Sequence, residues 1–83
     1  MRARVNVYPR REILDPQGKA IRDALERVGF SAVREVRAGK SFEIDLGVAD
    51  PEAAGEILRQ MCEKLLANTV VEEYGIEILE GDR

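Results

Sequence analysis

Apolar and polar residues alternate over the first nine positions: Ala3, Val5 and Val7 fall on one side, Arg4, Asn6 and Tyr8 on the other, and Pro9 closes the run. A period of two sends every second side chain to the same face of an extended chain, so this pattern predicts a first strand with one apolar face. After the polar connection Arg10, Arg11 and Glu12, Asp15 stands before Pro16. A carboxylate there can accept from the orphan amides of a helix start, and proline's fixed φ suits the first helical position. Ala20, Ile21, Ala24, Leu25 and Val28 then recur at helical spacing and Gly29 follows, so the first helix is expected over residues 16–28.

Residues 33–38 read as a second strand with a bulge or irregular start, because Val33 and Val36 are out of strict alternation. Gly39 and Lys40 supply a turn, and Phe42, Ile44, Leu46 and Val48 alternate with Glu43, Asp45 and Gly47 in a third strand that pairs with the second as a hairpin. Asp50-Pro51 repeats the earlier helix-start device, and Ile57, Leu58, Met61, Cys62, Leu65 and Leu66 form one continuous stripe on a helix ending near Asn68. Val70 and Val71 lead into Tyr74, Ile76 and Ile78, alternating with Glu73, Gly75 and Glu77 in a fourth strand; residues 81–83 read as a frayed tail.

The order is βαββαβ. It implies an α+β two-layer sandwich, ferredoxin-like in the broad sense, with two helices on one face of a four-stranded, largely antiparallel sheet. The sheet's other face is left uncovered, and Leu79, Val33 and Tyr8 are candidates for it.

Composition narrows what such a domain can do. With 83 residues there is room for a single domain, 1–83, and a core this small favours association with itself or a partner. One cysteine and no histidine remove disulfides and structural metals as staples. A net charge of −3 with both signs interspersed argues against nucleic acid as a partner. No run approaches a membrane span or the apolar core of a signal peptide, so a cytoplasmic protein is expected.

Candidate chemistry is sparse. Proton transfer near neutral pH falls most often to histidine, which is missing, and Cys62 sits in helical phase with Met61, Leu65 and Leu66, where a buried core thiol is the simpler reading than a nucleophile. Asp15 and Asp50 read as helix caps rather than an acid–base pair. Gly18-Lys19 and Gly39-Lys40 lack the rest of a phosphate loop. Arg34, Arg37 and Lys40 could meet an acidic partner surface or a phosphate, or could be a solvated strand edge that resists aggregation. RNA-recognition modules of this topology stack bases on aromatics, and here the central strands carry Val5, Val7, Ile44 and Leu46 with Phe42 alone. A metal chaperone would need a Cys-x-x-Cys loop. A small-ligand regulatory domain of βαββαβ type stays open as an alternative, and an acylphosphatase-like enzyme is more distant because its phosphate-binding arginine loop is not recognisable.

Specific residues add to this. Leu14-Asp15-Pro16-Gln17-Gly18 resembles the helix-opening motif of the small subunit of phosphoribosylformylglycinamidine synthase. The segment Met61-Cys62-Glu63-Lys64-Leu65-Leu66-Ala67-Asn68-Thr69-Val70, followed by Glu72 and Tyr74, looks like that family's most recognisable stretch, and Val36-Arg37-Gly39-Lys40 resembles its hairpin. The motifs fall in matching order over essentially the whole chain. Pro9-Arg10-Arg11-Glu12 departs from a glycine-containing loop, and Gly75 stands where a longer polar side chain is common.

The resemblance implies an accessory role in purine biosynthesis. Formylglycinamide ribonucleotide, glutamine and ATP become the formylglycinamidine ribonucleotide, glutamate, ADP and phosphate on two other subunits, a glutaminase and a large synthetase. The small subunit would bridge them and aid ammonia transfer, with no catalytic residue, cofactor or metal of its own, as a homodimer or dimer of dimers. Its partner contacts would involve Asp15, Gln17, Arg37, Lys40, Asn68 and Thr69; capping, turn and helix-end roles explain Asp15, Gly39 and Asn68 about as well.

Overall fold

The structure is a computed structural model, described here over residues 1–79; the tail expected at 81–83 lies outside the described residues. Three strands form one antiparallel sheet: β1 (Arg2–Pro9) at the centre, β2 (Lys40–Asp45) on one side and β3 (Glu72–Leu79) on the other. Val5 lies opposite Phe42 of β2 and Ile76 of β3, and the alternation of all three strands keeps this register: Ala3, Val5 and Val7 share one face with Phe42, Ile44, Tyr74 and Ile76. A slip of one residue would turn the whole apolar set to solvent, so the pattern itself specifies the pairing.

Helix α2 (Pro51–Met61) covers that face. Its Asp50 side chain accepts from Glu52 N at 3.3 Å, Pro51 takes the first turn, and Ala54 and Leu58 are fully buried, Leu58 in one cluster with Ala3, Val5 and Val7 of β1. At Cys62 the helix loosens into a single π-helical turn, Cys62–Leu66, in which Ala67 N donates to Cys62 O at 3.0 Å. The wider turn breaks the expected stripe. Cys62 and Ala67 are buried, whereas Leu65, predicted to face the core, is 83% exposed.

The expected second strand is not formed. Residues 33–38 form no regular element and join no ladder, so the sheet has three strands rather than four and the predicted hairpin is absent among the described residues. The polar groups of this segment are spoken for elsewhere: Ala38 N donates to Asp15 Oδ2 at 2.9 Å and Arg34 O accepts from Arg22 Nε at 3.2 Å. Gly39 is not a hairpin turn either. It crosses so close to β1 that a Cβ there would lie 2.3 Å from Val7 O.

A second correction concerns helix α1 (Pro16–Arg27), which does not pack on the sheet beside α2. Its one buried residue is Gly18, while Ile21 and Val28 on the predicted apolar stripe are exposed and Leu25 is half-buried. The helix projects, and the chain measures 47 × 29 × 14 Å with a radius of gyration of 15.9 Å. A compact chain of this length would have a radius of gyration of about 12 Å.

The sheet's other face is charged. Arg4 lies between Glu43 at 3.1 Å and Glu77 at 3.4 Å, and Arg2 reaches Glu43 as well. The Arg4 guanidinium holds the Glu43 carboxyl below the ordinary carboxylate range. Leu79 and Tyr8 do fall on this face by register, the former opposite Arg2, while Val33 belongs to no strand. No described helix is long and apolar enough to cross a membrane.

Candidate functional site

The six expected contact residues gather at one end of the sheet, where β1 leaves and β3 enters. Asp15 is the first joint. One carboxylate oxygen accepts from Gly18 N at 3.0 Å, capping α1, and the other accepts from Ala38 N at 2.9 Å, tying the helix start to the segment 33–38. These amide donors, first Gly18 and then Ala38, with the Arg37 charge nearby, hold the Asp15 carboxyl below its usual range. Gly18 makes the same joint from the other side, since a Cβ on it would stand 2.1 Å from Val36 O.

Arg37 is the second joint. Its guanidinium donates through Nε and Nη2 to Pro9 O, forms an ion pair with Glu73, and lies 4.6 Å from the centre of the Tyr8 ring. The end of β1, the start of β3 and the segment 33–38 therefore meet on one planar cation, a geometry that lysine's single ammonium could not reproduce. Arg34, Arg37 and Lys40 do not act as one cluster, because Arg37 turns to Pro9 and Glu73 while Arg34 engages through its carbonyl.

Asn68 and Thr69 form the approach to β3. Asn68 Oδ1 accepts from Val70 N at 3.2 Å, and its carbonyl accepts from Val71 N and Glu72 N at 3.0 and 2.7 Å. The Thr69 carbonyl is gripped by Arg10 through Nε and Nη2 at 3.3 and 2.8 Å, and Arg10 N donates to Val71 O at 3.0 Å. Arg10 was not foreseen as a contact residue. Nothing in the local pattern separates it from Arg11, which pairs with Glu35 on the surface at 3.5 Å; the departure from a glycine-containing loop was the only signal at that position.

Gln17 and Lys40 line a shared cleft of about 280 Å³ with Pro9 and Glu72. Lys40 also borders a larger open cleft of about 500 Å³ with Asn6, Tyr8, Arg37 and Ser41. Asp15, Gln17, Arg37 and Lys40 thus form one neighbourhood, joined to Asn68 and Thr69 through Pro9–Arg10 and Glu72–Glu73.

The arrangement offers surfaces and joints. Asp15 is committed to two amides, and burial raises the Cys62 thiol away from the reactive thiolate. Glu56 is pushed down to about 2 by the hydrogen bond from Arg59. The Tyr74 hydroxyl, raised by its bond to Glu63, donates to that carboxylate at 2.7 Å. Among the described residues no three metal-ligating side chains converge.

Comparison with known proteins places these features in a family. A model of the PurS family, described as phosphoribosylformylglycinamidine (FGAM) synthase, matches residues 2–80. The phosphoribosylformylglycinamidine synthase subunit PurS of Synechocystis sp. is 44% identical over 80 residues, covering 94% of this chain and 80% of the relative. That of Mycobacterium leprae is 47% identical over 75 residues, covering 90% and 91%. A chain in the structure of PurLQS from Thermotoga maritima superposes with a TM-score of 0.85 at 35% identity, covering 94% of this chain and 95% of that one.

Proposed function

Because this chain belongs to the PurS family of phosphoribosylformylglycinamidine synthase, we propose that it is the non-catalytic bridging subunit of that synthase, a single domain over residues 1–83 working in the cytoplasm. It joins the glutaminase to the large synthetase so that ammonia released from glutamine reaches formylglycinamide ribonucleotide activated by ATP. Fixing two active sites relative to each other converts an encounter through solvent into a directed transfer.

The observation that carries this reading is the mismatch between the chain and a self-sufficient domain. A helix whose apolar stripe is largely bare and a radius of gyration of 15.9 Å describe a chain built to be completed by others. The stripe along α1 suits a second copy, giving the homodimer from which a dimer of dimers can be built. The neighbourhood of Asp15, Gln17, Arg37, Lys40, Asn68 and Thr69 is then left for the other two subunits, with mixed charge suited to docking. A small-ligand regulatory domain has no comparable support.

Reconstitution tests it. Glutamine-dependent synthesis should be restored when the chain is added to the purified glutaminase and synthetase, with no turnover by the chain alone. Full glutamine-dependent activity of those two subunits without it overturns the proposal.

A further inference from the structure

Beyond Pro9 the β1–β3 ladder ends one-sidedly. Pro9 stands opposite Glu72, and Arg10 N still donates to Val71 O at 3.0 Å, as the next step of that ladder requires. The return bond is missing, because Val71 N donates to Asn68 O and the Arg10 carbonyl accepts from Ile13 N. Left at that, the turn over residues 68–71 would hang from β1 by one backbone bond. The Arg10 side chain takes over where the ladder stops: its Nε and Nη2 reach two residues back along the turn to Thr69 O, at 3.3 and 2.8 Å. The fork itself stands on a fixed peptide, since Pro9 O accepts from both Nε and Nη2 of Arg37. Two parallel donors fix the direction of a carbonyl as well as its distance.

The rest of the turn closes on itself. Asn68 O accepts from Val71 N and Glu72 N, Asn68 Oδ1 accepts from Val70 N, and Glu72 Oε1 accepts from Asn68 N at 2.8 Å. None of these bonds uses the Thr69 hydroxyl, and Val70 is 79% exposed. A short turn this fully bonded has already lost the freedom that docking would otherwise cost it. Its charges are spoken for as well, Arg10 by a carbonyl and Glu72 by an amide, so the bare valine stands in a charge-balanced setting. Rigid apolar contacts of that kind belong to permanent interfaces more than to steered encounters. Resting on the bridging-subunit reading, we propose that Arg10 is the positioning residue of this turn and that the turn, with Val70 foremost, seats on the large synthetase. That is the subunit on which ammonia is consumed, and a bridge has to be fixed to it for the transfer to be directed. Arg10 acts through the Thr69 carbonyl, and the contact surface is supplied by Val70 and the Asn68 and Thr69 side chains. The site lies apart from the α1 stripe assigned to self-association.

The test has a local and an assembly readout, both on the full chain well below its melting temperature. In Arg10→Ala the Val71 and Glu72 amides should exchange with solvent at least about tenfold faster, while the Val5 amide at the centre of the sheet keeps its wild-type rate. Arg10→Lys should recover part of that protection, and Arg11→Ala, one residue outside the clamp, should leave it unchanged. Binding is then measured to the purified synthetase and, separately, to the glutaminase. Arg10→Ala should raise Kd for the synthetase by at least about tenfold and leave Kd for the glutaminase and the self-association constant within about twofold. A merely destabilised chain would lose all three together. In the reconstituted synthase the same variant should need more chain for half-maximal glutamine-dependent activity and reach the wild-type maximum at saturation. Val70→Glu keeps the clamp and alters only the contact, so it should weaken synthetase binding with wild-type amide exchange, and it decides the matter if Arg10→Ala does not fold. Wild-type synthetase affinity in Val70→Glu, or in a folded Arg10→Ala, overturns the inference while leaving the subunit reading intact. So does unchanged exchange at Val71 and Glu72 in a folded Arg10→Ala, and so does a loss that falls on the glutaminase or on self-association instead, because the turn then serves another occupant. Failure of the wild-type chain to bind either subunit overturns both readings.

Discussion

The Asp15 carboxylate accepts from the Ala38 amide at 2.9 Å while its other oxygen caps α1 at Gly18. One side chain thus starts a helix and anchors a segment that the hydrophobic pattern would have put in the sheet. Because these donors favour the ionised form, the folded Asp15 titrates below its ordinary value of 3.8. The unfolded chain binds the proton first as pH falls. Stability from Asp15 is therefore complete above the unfolded value and is lost as pH drops through the folded one. Thermal melts taken from neutral pH down to about pH 3 should show a falling melting temperature for the wild type. Asp15→Ala should start lower and fall less steeply; parallel acid limbs would contradict the assignment.

Gly18→Ala probes the same joint by volume. A methyl group 2.1 Å from Val36 O has nowhere to go unless helix and segment separate. The expected loss is about 1–3 kcal/mol in denaturant melts, despite alanine's better helix propensity. A neutral or stabilising result would mean that the segment yields easily.

Arg37→Lys and Arg37→Ala separate charge from fork. Loss of the two bonds to Pro9 O and the Glu73 pair should lower stability by about 1–3 kcal/mol in the alanine variant. Lysine should recover part of the ion pair but not the planar contact over Tyr8. Equal stability of lysine and wild type would show that the fork contributes nothing.

The π turn makes two leucines of one predicted stripe behave oppositely. Leu58→Ala, at a fully buried site, should cost about 2–5 kcal/mol. Leu65→Ala should change the stability of the isolated chain by no more than about 0.5 kcal/mol. Chemical denaturation of both variants compares them directly.

The α1 stripe yields a test of self-association. Ile21→Glu/Val28→Glu places two charges on exposed apolar positions two turns apart. It should raise the dimer dissociation constant by at least about tenfold, measured by light scattering over a dilution series, with little change in helical content. An unchanged dissociation constant would move the second copy to another surface.

The hydrophobic pattern made β1, β2, β3 and both Asp-Pro helix starts legible because each rests on local rules: alternation, capping, the fixed φ of proline. It failed at residues 33–38, where Val33 and Val36 broke alternation and the decisive partners, Asp15, Pro9 and Glu73, are distant in sequence. It failed again at Leu65, since a period of 3.6 was carried through Cys62 where the helix widens. The bareness of α1 was invisible for a different reason: an amphipathic stripe states that something covers it, not whether the cover belongs to the same chain. Within the site, Asp15, Gln17, Arg37 and Lys40 could be named from resemblance, whereas Arg10 could not be told from its neighbour Arg11.

The central position of β1 has a consequence for biosynthesis. Arg2 pairs with Leu79, so β1 finds one of its two hydrogen-bonding neighbours only after translation has passed through β3. Until then the nascent polypeptide can form at most the β1–β2 ladder, a two-stranded ribbon that is marginal in water. A message truncated before Glu72 would deliver β1 with one side of its backbone permanently open to foreign strands.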